Sequence, residues 1–136
     1  MRFARTAFLI AGVYGVVLIT PMYFMEERIG LESPPAITHP DYYYGFLGGT
    51  LAWQVLFLVL ASDPLRYRPM ILPAMIEKVS YATAMILLAF EHRISPMVLT
   101  FGSIDSILAL LFVVSYITTR HDMRNNRRVN DCGADD

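Results

Sequence analysis

An all-α fold, an integral membrane bundle of four helices with both ends on the same side, follows from three observations on this chain. Four segments each run for close to 20 mainly apolar residues, about the length a helix needs to cross a hydrocarbon core of about 30 Å. The arginines cluster on alternate sides of those segments. Of the 136 residues, 55% are apolar and 17% charged, with a mean hydropathy of +0.45, a balance shifted from soluble domains toward membrane proteins.

Charge and cysteine content remove several classes. Lys and Arg number 11 against 12 Asp and Glu; nucleic acid as a partner needs an excess of basic residues, so membrane lipid is the expected partner. The single cysteine, Cys132 in a polar tail, supports neither a disulfide framework nor a cysteine metal cluster.

The first span is expected at about residues 7–24. Arg2 and Arg5 ahead of an apolar run resemble a secretory signal, but the run is long and leads into "PMYFMEERIG", which offers no small-residue cleavage pattern, so it reads as a retained span. The next segment, "MEERIGLESPPAITHPDYYYG", carries Pro34, Pro35 and Pro40, which disfavour a continuous helix. His39-Pro40-Asp41 marks an entry signal in which Asp41 can cap the second helix. The second span covers about residues 44–61, and Tyr42, Tyr43 and Tyr44 sit where amphipathic rings anchor at the headgroup level.

"SDPLRYRPMILP" is a tight connector in which Asp63-Pro64 favours a turn and Pro69 or Pro73 occupies the first turn of the third helix. The third span then covers about residues 70–90 and the fourth about 97–118. Residues 1–118 form one four-span domain, and the polar segment 119–136 lacks apolar periodicity, reading as a tail partly disordered near its end, with its arginines on anionic headgroups.

Orientation follows from the arginines. Arg2, Arg5, Arg66, Arg68, Arg120, Arg124, Arg127 and Arg128 fall on one side of a four-span arrangement, while Arg28 and Arg93 fall on the other. Basic residues near span ends mark the cytoplasmic face, so both termini are expected there. Dropping or adding a helix would scatter the arginines.

Helices in lipid associate through small residues and interhelical hydrogen bonds. Ala11 with Gly15, Gly45 with Gly49 beside Gly48 and Ala52, and Gly102 with Ser106 mark three expected contact faces.

Ionisable groups inside a span cost about 2.5–3.5 kcal/mol each at the helix centre on insertion scales. Glu77, Lys78 and Asp105 are the candidates, with Gln54, Trp53 and Tyr81 as polar companions in an intramembrane network or pocket. Glu77 and Lys78 have two readings: a snorkelling pair at the cytoplasmic boundary linked to Asp63, Arg66 or Arg68 of the connector, or interior charges. Adjacent residues point about 100° apart on a helix, so one is expected inward and the other toward the headgroups. Tyr81 lies one turn on and can join either. Asp105 also has two readings, as the cap of an inner half-helix after an interruption at Gly102-Ser103, or as a buried acid paired with Lys78 or Gln54.

Metal and catalytic motifs are sparse. No pair of mid-span histidines could sandwich a haem; an outer zinc site from His39, Asp41, Glu91 and His92, with Glu26 and Glu27, is conceivable but has no diagnostic spacing. There is no P-loop, dinucleotide fingerprint, nucleophile elbow or H-E-x-x-H. No cofactor is indicated, and quinone or lipid is the ligand class compatible with the spans.

The layout carries one resemblance. A first span ending near a proline, an outer loop leading into "YYYGFLGG", the short basic connector "DPLRYRP" and two further spans make residues 6–118 resemble small bacterial four-helix membrane proteins of the DoxX-like kind. That resemblance implies the bacterial inner membrane and, because some DoxX-like proteins are associated with quinone-linked oxidation of sulfur compounds, a partner subunit; it assigns no catalytic residue. The expected function is a non-catalytic subunit or a lipid- or quinone-associated module. The alternatives are a small proton-coupled transporter, which four helices could form only as an oligomer, and a membrane enzyme acting on a quinone or lipid.

Overall fold

Long apolar runs with good helix formers give long helices, and a computed structural model describes residues 2–32 and 36–132, with side chains to His121. The elements are α1 (Arg2–Met22), the short α2 (Glu26–Glu32), α3 (Pro40–Ser62), α4 (Ile71–Phe90) preceded by a one-turn 3₁₀ helix Arg68–Met70, and α5 (Pro96–Cys132). Among the described residues there are four helices long and apolar enough to cross a membrane: α1, α3, Arg68–Phe90 and Pro96–His121. Large apolar side chains such as Val17, Ile76, Leu110 and Ile117 are more than half exposed. So much apolar surface would be an aggregation hazard in water and is ordinary against lipid.

The ends of the helices follow local chemistry. At the end of α1, which tolerates Pro21 in its last turn, the N–H groups of Tyr23, Phe24 and Met25 donate to the carbonyls of Thr20, Pro21 and Met22 in tight i+3 steps. α3 starts with Pro40 in its first turn, where a missing N–H costs nothing. Asp41 is therefore not the cap: His39 occupies that position without a side-chain bond, and the Asp41 carboxylate lies in the first turn, where the helix dipole favours it.

Asp63 folds the connector by accepting from the backbone N–H groups of Leu65 and Arg66, each at 3.2 Å, over a fully buried Pro64. Pro69 lies in the 3₁₀ turn and Pro73 in the first turn of α4. α4 stops at His92, whose φ of 53° is the left-handed conformation, with Arg93 N–H donating to the Leu88 carbonyl and His92 N–H to that of Ala89. This is the Schellman pattern, with His where Gly is usual.

α5 begins with Ser95 Oγ accepting from the Val98 N–H at 3.4 Å. Its hydroxyls at Thr100, Ser103, Ser106, Ser115 and Thr118 each donate to the carbonyl four residues back, which hides them from lipid. α5 runs without a break through Gly102 and Ser103, so Asp105 is not the cap of a half-helix. Its backbone also continues helical past residue 118 to Cys132; the end of the tail expected to be disordered, residues 133–136, lies outside the described residues.

α1 packs against α3 on one side and α5 on the other, α4 packs against α5, and α3 and α4 barely meet. The core lies toward the end where Arg2 and the α3–α4 connector sit. There Phe112 meets Phe8 at 4.5 Å and Phe57 at 5.0 Å between ring centroids, packed by Ala4, Ala11, Leu60, Ile71 and Ala74. Two of the three small-residue faces are used within the chain. Ala11 is buried and a Cβ on Gly15 would overlap the Gln54 side chain of α3, while one on Gly102 would meet Met85 Cβ at 2.9 Å. On the third, a Cβ on Gly45 or Gly49 would meet nothing within 4 Å and one on Gly48 only the Tyr23 hydroxyl at 3.6 Å; α3 turns the Gly45–Gly49 edge away from its own bundle.

At the opposite end, the segment expected to be a loop contains α2, whose Arg28 Nε donates to Glu32 at 2.7 Å one turn on. The tyrosines here do more than anchor. Tyr43 Oη donates to the Met22 carbonyl at 2.6 Å, a second donor beside the Met25 N–H at the end of α1, and Tyr44 Oη donates to Glu26 at 2.8 Å. Tyr43→Phe is expected to cost about 1 kcal/mol, visible as a lowered midpoint of thermal unfolding in detergent; an unchanged midpoint would show that the bond adds nothing.

Candidate functional site

Lys78 lies in a stripe of one-turn spacing on α4, Ala74–Lys78–Ala82, of which every member is buried. The alanines bring α4 close to its neighbours and leave room for one long side chain between them. On α5, Gly102, Asp105, Leu108 and Phe112 share a face by the same spacing, and Gly102 admits Met85 from α4. Asp105 is thus an acid standing in a core position.

The two stripes meet. Lys78 Nζ donates to Asp105 Oδ1 at 3.0 Å and lies 3.4 Å from Glu77 Oε2; the Lys78 side chain is 6% exposed and both carboxylates 17%. Nζ also stands 5.3 Å from the centroid of Phe57 on α3, a cation–π contact on the rim of the aromatic core. At about 1.5 Å per residue, Lys78 is about 18 Å from the Phe90 end of α4, and Asp105 about 14 Å from the Pro96 end of α5. The pair occupies the middle of the bundle.

Glu77 and Lys78 therefore do not form the snorkelling pair that was one reading of the sequence, and neither is linked to the connector. Asp63 is engaged by its own turn, Arg66 lies over the ring of Tyr67, and Arg68 stacks 4.1 Å from the centroid of Tyr116, donating to its carbonyl at 3.4 Å. Nor does one charge point inward and its neighbour out. The 100° between their Cα–Cβ directions is overcome by side-chain length, since the ammonium of Lys78 reaches the groove where the Glu77 carboxylate also lies.

Gln54 is buried but donates to the Thr50 carbonyl of its own helix at 3.2 Å, and its side chain covers Gly15 of α1. It fastens α3 to α1 and makes no bond to Asp105. Trp53 packs half-buried against the aromatic core. Tyr81 is half-buried and makes no side-chain hydrogen bond to Glu77 or Lys78. Tyr14 of α1 packs half-buried against the same core, and Phe57 lies beneath the ammonium. Sequence reasoning missed both; the signal for Phe57 is its position one turn from buried Gln54, and for Tyr14 its place beside Gly15.

The outer residues are not assembled into a metal site. Among the described residues, no group of three or more His, Cys, Asp and Glu could hold a metal ion. His39 packs edge-on to Tyr42, Glu91 pairs with Arg93 at 3.1 Å, and His92 closes α4.

Chemically, an ammonium held between two carboxylates is neither a free nucleophile nor a free base. It joins α4 to α5 and holds charge in the bundle interior. Compared with protein-family models, curated proteins and solved structures, the chain matches none.

Proposed function

We propose that the protein is a non-catalytic integral membrane subunit, or a module that holds lipid or quinone, in the bacterial inner membrane with both termini in the cytoplasm. The observation that carries this reading is the contact of Lys78 with Asp105 and Glu77: the charges inside the spans are directed at one another, as in a scaffold, with no nucleophile and base beside them. A surface hollow between α1 and α3 adds support for lipid. It sets Arg5, Thr6 and Ser62 at one end of an apolar wall of Leu9, Leu58 and Ala61, the combination that suits an anionic headgroup and its chain.

Native mass spectrometry of gently solubilised protein, with bound small molecules extracted and identified, tests the reading. A stoichiometric second membrane protein, quinone or lipid is expected; a bare homo-oligomer carrying only bulk lipid would overturn it. For orientation, Cys132 is expected to react with a membrane-impermeant maleimide in inside-out vesicles and to be protected in right-side-out ones. The reverse pattern would place the tail outside.

A second reading, a small oligomeric proton-coupled carrier, is favoured by one observation. Glu77 Oε2 is buried and accepts no hydrogen bond, with the Lys78 ammonium 3.4 Å away, so it is a carboxyl able to exchange a proton. Proton-linked flux in proteoliposomes that vanishes on Asp105→Asn would support a carrier, and equal flux in the variant would remove Asp105 from it.

A further inference from the structure

The charge count in the middle of the bundle does not balance. One ammonium, Lys78, faces two carboxyl groups, Glu77 on its own helix and Asp105 on α5. Among the described residues, Lys78 is the only cation within 4 Å of either carboxyl group. The neighbours on the other helices are uncharged, Phe57 of α3 beneath the ammonium and Tyr14 of α1 against the same aromatic core, and on α4 itself the residue one turn on from Glu77 is the phenol Tyr81. With every group ionised, the site would hold one net negative charge where solvent cannot screen it, a cost that buried groups avoid by neutralisation.

The two carboxyl groups are not equivalent. Asp105 Oδ1 accepts a direct hydrogen bond from Nζ at 3.0 Å. Glu77 Oε2 is farther, at 3.4 Å, and although buried has no donor aimed at it. A carboxylate oxygen buried without a donor loses its hydration and gains little in return, whereas a carboxylic acid there carries no charge to solvate.

We infer that the Glu77–Lys78–Asp105 triad is a binding site for one proton, and that Glu77 holds it while Lys78 remains paired with Asp105. The proton comes from water and forms an O–H bond on the Glu77 carboxyl; no other bond is made or broken. The site's occupancy depends on Lys78: removing Asp105 frees the ammonium for Glu77, which then releases its proton. This inference is independent of which partner or ligand the protein holds.

Infrared spectroscopy of the full chain in an ester-free detergent reads the site directly, through the carbonyl stretch of a protonated carboxyl and its shift in D2O. At pH 7 the protein is expected to show this band. It should disappear in Glu77→Gln, which leaves the triad neutral, and in Asp105→Asn, where Lys78 turns to Glu77. It should persist in Glu26→Gln, which changes only the carboxylate bonded to Tyr44. Amide bands from the same spectra report whether each variant keeps its helices. Absence of the band from the unmodified protein at pH 7, or its survival in either Glu77→Gln or Asp105→Asn, would overturn the assignment.

Discussion

Lys78→Met lowers the stability of the bundle by about 3–5 kcal/mol, the range for removing one member of a buried ion pair, and Asp105→Leu in the same chain restores most of it. The single substitution leaves Asp105 in a core stripe with Leu108 and Phe112 and takes away its hydrogen bond from Nζ. The double variant replaces both ions with apolar groups in a setting where the helices are already held by Ala74, Ala82 and the approach of Met85 to Gly102. Buried ion pairs replaced as a unit are often neutral to stability, so the double variant is expected within about 1 kcal/mol of the parent. Denaturation by SDS from a mild detergent, followed by circular dichroism, measures all three chains. A double variant no more stable than Lys78→Met would show that the pair does not act as a unit.

Gly15→Val is the second large effect. A Cβ at residue 15 would overlap Oε1 and Cδ of Gln54. Gln54 is 3% exposed and cannot swing into lipid without giving up its place between α1 and α3. Overpacking of this kind costs about 1–3 kcal/mol, and Gln54→Ala should recover most of it by opening the space. Gly49→Val provides the contrast, because nothing lies within 4 Å of that position; its own bundle should be unaffected. If Gly15→Val and Gly49→Val unfold at the same denaturant concentration, the α1–α3 contact is not as close as described.

The four spans were legible because hydropathy and length are properties of contiguous residues. The second span starts four residues earlier than expected, at Pro40, because a proline suits a helix start; the third ends at Phe90 as expected, before the His92 stop, and the fourth begins within one residue of its expected start, behind the Ser95 cap. α2 was hidden between prolines, although Glu26 and Glu27 in its first turn and the Arg28–Glu32 spacing were signals for it. The site was legible in part. Asp105 and Lys78 stood out as charges in apolar runs, but whether they meet depends on how α4 is rotated against α5, set by Ala74, Ala82 and Gly102 together. The inward turn of Glu77 could not be read from helix periodicity, since it depends on side-chain reach rather than on Cα–Cβ direction. The Gly45–Gly49 spacing looked the same in sequence as Ala11–Gly15, and only the arrangement of the other helices tells a used face from an unused one.

Glu77 also has a bearing on how the chain enters the bilayer. A ribosome makes α4 before α5, so Lys78 arrives 27 residues ahead of the carboxylate it is bonded to in the finished protein. At about 5–20 residues per second, that leaves a lysine waiting about 1–5 s at the membrane without Asp105. An acid at the next position travels with it. Glu77, 3.4 Å from Nζ in the finished protein, is the one acid of the triad already made in that interval, so the order of synthesis sets the two acids apart as the spacing in the fold does.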